Sequence, residues 1–92
     1  MTMAVQAVYF SDRDGLDMAL KNPETMLFTS KADADARDKI LELAEEIQVF
    51  LARKVEGLGD DMAEKCAMAI AEDKDLFQKA LKKPDVLNAA QD

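Results

Sequence analysis

The sequence predicts an α+β fold: an N-terminal two-stranded antiparallel hairpin packed on two to three α-helices, the first of them long and amphipathic. Three observations lead there. Strand formers and turn residues fill most of the chain up to Thr29. Residues 28–39 then compress a strand end, a helix start signal and an acidic first turn into one stretch. Beyond them the apolar residues recur at steps of three and four, the period of a helix face.

Residues 4–10 (Ala-Val-Gln-Ala-Val-Tyr-Phe) are rich in strand formers and read as the first strand. Val5, Ala7 and Tyr9 share one face; Gln6, Val8 and Phe10 share the other, and neither is cleanly polar. Ser11-Asp12-Arg13-Asp14-Gly15 is a turn cluster. Residues 16–22 fit one helical turn or an irregular loop, closed by Asn22-Pro23. Residues 24–29 form the second strand, with Met26 and Phe28 on one face. Two strands joined by a local connection pair most simply antiparallel.

Ser30 is the expected N-cap of the long helix. Its hydroxyl can accept from the Asp33 amide, and the Asp33 carboxylate can reach back, a variant of the capping box. Asp33 and Asp35 then stand where the helix dipole favours anions. The apolar positions are Ala36, Ile40, Leu43, Ala44, Ile47, Phe50, Leu51 and Val55, until Gly57 and Gly59 stop the helix. Asp60 or Asp61 is expected to cap the next helix, with Met62, Cys66, Ala69 and Ile70 facing inward. The pattern pauses at Glu72-Asp73-Lys74-Asp75. Asp73 can start a third helix carrying Leu76, Phe77, Ala80 and Leu81, or one helix can run through. Pro84 ends either version. Residues 1–84 read as a single domain and residues 85–92 as a frayed tail.

With 92 residues the chain has room for one domain. A hydrophobic share of 49% and a charged share of 34% fit a globular rather than a disordered chain. Much of the apolar content is Ala and Met, so the core is expected to be thin, with help from a dimer partner. The net charge is −7, spread along the chain. Duplex binding needs several cations aligned on one face. The best such group is Lys79, Lys82 and Lys83, with Arg53 and Lys54 as possible additions. Its bland reading is the cation-rich end that a helix favours. The lone Cys66 excludes an internal disulfide and reads as a small buried hydrophobe, without a histidine to act as its base. No apolar run has signal-peptide or membrane-spanning length, so a cytoplasmic, soluble protein with no membrane association is expected.

Most catalytic and ligand-binding patterns fail on spacing. Asp12, Asp14 and Asp17 beside Gly15 invite a calcium loop, but that loop needs glycine sixth and a bidentate Glu twelfth. Here Gly15 is fourth and Pro23 twelfth, which leaves an acidic solvent turn. With no histidine and one cysteine, the usual zinc ligand set cannot be assembled. Gly57-Leu58-Gly59 lacks the rest of either nucleotide-binding fingerprint. Glu42, Glu45 and Glu46 read as exposed helix-face carboxylates, not as a raised-pKa acid or base. Ser30-Lys31 reads as a cap and a solvated lysine rather than as a nucleophile and its base. The residues therefore predict no enzyme and no cofactor.

Phe28-Thr29-Ser30-Lys31, then Ala34-Asp35-Ala36 and Asp38-Lys39 ahead of a long amphipathic helix, resemble the YebG family of bacterial DNA-damage-inducible proteins. The strand from Ala4-Val5-Gln6 through Tyr9, the Arg13-Asp14-Gly15 turn and residues 76–82 after Ala71-Glu72 fit the same pattern, so the resemblance covers roughly residues 4–83. Two features depart from it: the connection over residues 16–23 looks longer, and no acidic tail follows Pro84. The resemblance implies a small cytoplasmic protein under LexA control in the SOS response, and it brings no catalytic or ligand-binding residues with it. The expected role is protein–protein interaction, as a homodimer or with an unidentified DNA-repair or SOS protein. The alternative is weak nucleic-acid binding through the lysine group, disfavoured by the net charge. An acidic surface mimicking DNA ranks after both.

Overall fold

The computed structural model describes residues 7–89. Its elements are α1 (Leu16–Lys21), α2 (Pro23–Met26), α3 (Lys31–Lys54), α4 (Asp60–Glu72), α5 (Lys74–Ala80) and a 3₁₀ turn at Pro84–Leu87. Contacts gather into two compact units, one ending at Glu42 and one beginning at Leu43, so the boundary falls inside α3.

The α+β expectation is corrected: the described residues are mostly helical, and no strand or sheet forms among them. Residues 4–6 of the expected first strand lie outside the described residues. What remains of the hairpin is one antiparallel bridge. Tyr9 N–H donates to the Phe28 carbonyl at 2.6 Å, and Phe28 N–H returns to Tyr9 at 2.8 Å. The second strand fails because Pro23 starts a helical turn instead. Proline needs no N–H at the first helical position, and its fixed φ suits that position. The Asn22 carbonyl accepts from Thr25 at 3.2 Å and from Met26 at 2.9 Å, and these bonds close the turn. The strand propensity of Thr25 is thereby outweighed, and the backbone extends again only at Leu27, just before Phe28 joins the bridge. Of the two options for residues 16–22, a helix forms. Asn22 ends α1 by donating its backbone N–H and its side-chain Nδ2 to the Met18 carbonyl, at 2.9 and 3.1 Å.

The Ser30 half of the expected capping box forms, the hydroxyl accepting from the Asp33 N–H at 3.3 Å, whereas the return bond from the Asp33 carboxylate does not. Lys31 and Asp35 pair across one helical turn at 3.1 Å. Replacing Ser30 with alanine is expected to cost about 1 kcal/mol in urea denaturation, the usual loss for a capping hydroxyl. Past Lys54 the chain turns at Gly57, whose φ of +84° favours a residue without a side chain. The inward positions of α3 are Ala34, Leu41 and Ala44; Ala36, Phe50 and Val55, expected inside, are exposed.

The cap of α4 is Gly59, not Asp60 or Asp61, which occupy its first turn and meet the positive end of the dipole. Its inward face also differs from expectation. Ala63, Ala67 and Ala71 are buried, whereas Met62, Cys66 and Ala69 are exposed and Ile70 is half-buried. Alanines four residues apart let a neighbouring backbone approach closely, so the small residues go in and the larger ones line the rim. At Asp73 the helix breaks (φ −107°, ψ 29°) and α5 begins, which settles the open choice for two helices; the Asp73 side chain makes no capping bond. The buried set is nearly all alanine, and no large side chain is fully buried among the described residues.

Candidate functional site

Two constellations stand out, one in each unit. In the first unit the turn over residues 11–15 is tied to the first turns of α3. Ser11 is only 3% exposed, and its carbonyl accepts from the Asp14 and Gly15 amides, each at 3.1 Å. Its hydroxyl accepts from Arg13 N–H at 3.1 Å and donates to Asp38 Oδ1. Arg13 Nη1 reaches Asp38 Oδ2 at 3.0 Å. Beside them, Arg37 grips Asp14 with both arms, Nε to Oδ2 at 3.0 Å and Nη2 to Oδ1 at 3.1 Å. Gly15 makes the turn possible with a φ of +85°. Asp14 is therefore an arginine's partner and not a solvent carboxylate.

This network fastens the turn to the start of α3. The Ser11 hydrogen bond holds the Asp38 carboxyl below the ordinary carboxylate range, with burial opposing and the Arg13 hydrogen bond and charge and the Lys39 charge reinforcing. A carboxylate so stabilised is a poor acceptor for the serine proton, and the serine is closed off from solvent. Because the folded value lies below the unfolded one, the stabilisation is present above roughly pH 4 and is lost as pH falls through the folded value. Ser11→Ala is expected to move the Asp38 titration upward in an NMR pH series. The same change should start acid unfolding of the first unit at a higher pH.

In the second unit α3, α4 and α5 enclose an open groove of about 440 Å³. Its floor is Leu43 and Ile47 from α3, Ile70 from α4, and Phe77 and Leu81 at the α5 end. Lys74, Asp75 and Gln78 complete the wall, and Lys74 Nζ lies 3.3 Å from Asp75. An adjoining depression shares Asp75 and Gln78 and adds Lys79 and Lys82. Two of the expected nucleic-acid contacts are thus brought together. Lys83, Arg53 and Lys54 do not line that depression. Arg53 lies over the Phe50 ring instead, 5.2 Å from its centre, in cation–π contact. Cys66, expected buried, is exposed.

Sequence reasoning found the lysines and missed both the groove and the tie. The groove draws on three helices, and its α4 contribution depends on which face turns inward. The tie had a legible trace: Ser11-Asp12-Arg13-Asp14 and Arg37-Asp38 are blocks with complementary charges, and both fall in stretches that carry the family resemblance.

Among the described residues no helix is long and apolar enough to cross a membrane. The family model described as "YebG protein" matches residues 3–83. "Uncharacterized protein YebG" of Escherichia coli (strain K12) is 35% identical over 80 residues, covering 87% of this chain and 76% of the relative. The proteins of the same description from Escherichia coli O6:H1 and O157:H7 align to the same extent. No solved structure matches the chain. The matched span holds the Ser30-capped helix, the tie between turn and α3, and the groove, and the chain belongs to the YebG family.

Proposed function

We propose that this chain is a non-enzymatic accessory protein of the DNA-damage response that acts by binding another protein. The observation that carries the reading is the apolar surface left uncovered on the second unit. Phe77 and Leu81 open to solvent from the groove, and Val49, Phe50, Val55 and Met62 are exposed as well. A core of alanines stabilises weakly per residue, and an apolar groove left open to solvent is a common place for a partner to bind. The damage-response setting, cytoplasmic location and LexA control rest on what the family resemblance implies. Affinity purification from cells treated with a DNA-damaging agent is expected to recover a specific partner, or sedimentation to find a dimer. In the same culture the protein level should rise after damage. A monomer at every concentration, with nothing recovered from damaged cells, sinks the reading.

A second reading, weak nucleic-acid binding, draws on Lys79 and Lys82 sharing one depression, with Lys83 following in sequence. Against it stand the net charge of −7 and the Asp75 carboxylate in the same depression. A gel shift at low salt separates the two. Retardation that fades steeply with salt and disappears in the Lys82→Glu/Lys83→Glu variant supports nucleic-acid binding. No retardation removes it.

A further inference from the structure

We infer that the groove of the second unit receives an acidic amphipathic helix of a partner protein. This rests on the protein-binding reading above and names the chemistry of the partner. The floor supplies the first argument. Leu43 and Ile47 stand one turn apart on α3, and Phe77 and Leu81 are separated by the same four residues at α5. A helix presenting apolar side chains at i and i+4 repeats that spacing of about 6 Å, the mode in which helices bind grooves.

Charge supplies the second argument. Residues 74–83 carry four lysines against one aspartate, in a chain whose net charge is −7. The aspartate, Asp75, is paired with Lys74. Lys79 and Lys82 line the adjoining depression, and no carboxylate among the described residues pairs with either. An apolar floor with a cationic edge selects carboxylates beside the anchors of its occupant. One alternative fits less well. Nucleic acid offers phosphate to the lysines but nothing to Leu43, Ile47, Phe77 or Leu81.

The test is a display selection of randomised helical peptides on the full chain, repeated on the Lys79→Glu/Lys82→Glu variant. Peptides with apolar residues at i and i+4 flanked by Asp or Glu are expected to be enriched. A synthetic peptide of that sequence should perturb the NMR signals of Leu43, Ile47, Ile70 and Phe77. Leu81 is 84% exposed, so Leu81→Ser leaves the fold intact and is expected to weaken binding about tenfold. On the lysine-reversed variant, Lys-flanked peptides should replace the acidic ones. Enriched peptides without acidic flanks, peptides that bind away from the groove, or no enrichment overturn the inference. Concentration-dependent shifts of the same signals in peptide-free protein, with a dimer mass in sedimentation, assign the groove to a second copy. That result overturns the inference yet leaves the protein-binding reading standing. Shifts produced by a single-stranded oligonucleotide, with none from any peptide, overturn it in favour of nucleic acid.

Discussion

Arg37→Ala is expected to destabilise the first unit by about 3 kcal/mol, the low end for breaking a buried ion pair from one side. The arginine side chain is 15% exposed and its Asp14 partner 7%, so water screens the pair poorly. Removing the guanidinium breaks both arms of the grip and leaves the Asp14 carboxylate shielded from solvent without its partner. The loss should appear as faster hydrogen exchange in α1 and the first turns of α3. Amides of α4 and α5, which belong to the second unit, should keep most of their protection. A double-mutant cycle with Asp14→Ala isolates the pair, because the second substitution removes the stranded charge. If Arg37→Ala changes stability by less than 1 kcal/mol, the side chains are not held as described.

Ala67→Leu is the second large effect, expected to cost about 1–3 kcal/mol in chemical denaturation through overpacking. Ala67 is 1% exposed on the inward face of α4, and three added carbons have nowhere to go without displacing a neighbour. Met62, five residues earlier and 54% exposed, provides the contrast. Met62→Ser should lie within about 0.5 kcal/mol of the parent, as surface substitutions do. A reading from residue size alone places Met62 inside and expects the reverse ranking. Thermal or urea midpoints of the two variants, measured side by side, decide which face of α4 packs.

Much of the chain from Ser30 onward was legible because its determinants act within a helical turn. The Ser30 hydroxyl meets the Asp33 amide three residues on, and the steps of three and four define α3 wherever its faces point. That Lys79 and Lys82 lie near each other was legible for the same reason. The groove beside them was not, because its floor joins apolar positions of three helices, and which of them stay uncovered depends on how those helices pack. The hairpin failed on a local competition that propensity left unresolved. Residues 24–29 contain good strand formers, but the Asn22 carbonyl and the Pro23 ring close a helical turn before a ladder can form. The pairing of Asp14 was not legible because its partner, Arg37, lies 23 positions away.

By itself the sequence determined the long capped helix, its stop near Gly57, the acidity of the surface and the family. Each follows from composition or from contacts a few residues apart. The tertiary structure alone decided the rest: a single bridge in place of a hairpin, the alanine face of α4, the break at Asp73, and the tie from the turn to α3. Ser11 meets Asp38 across 27 positions, and Arg37 meets Asp14 across 23. Pairings over such separations depend on how the chain folds back, and no local period encodes that.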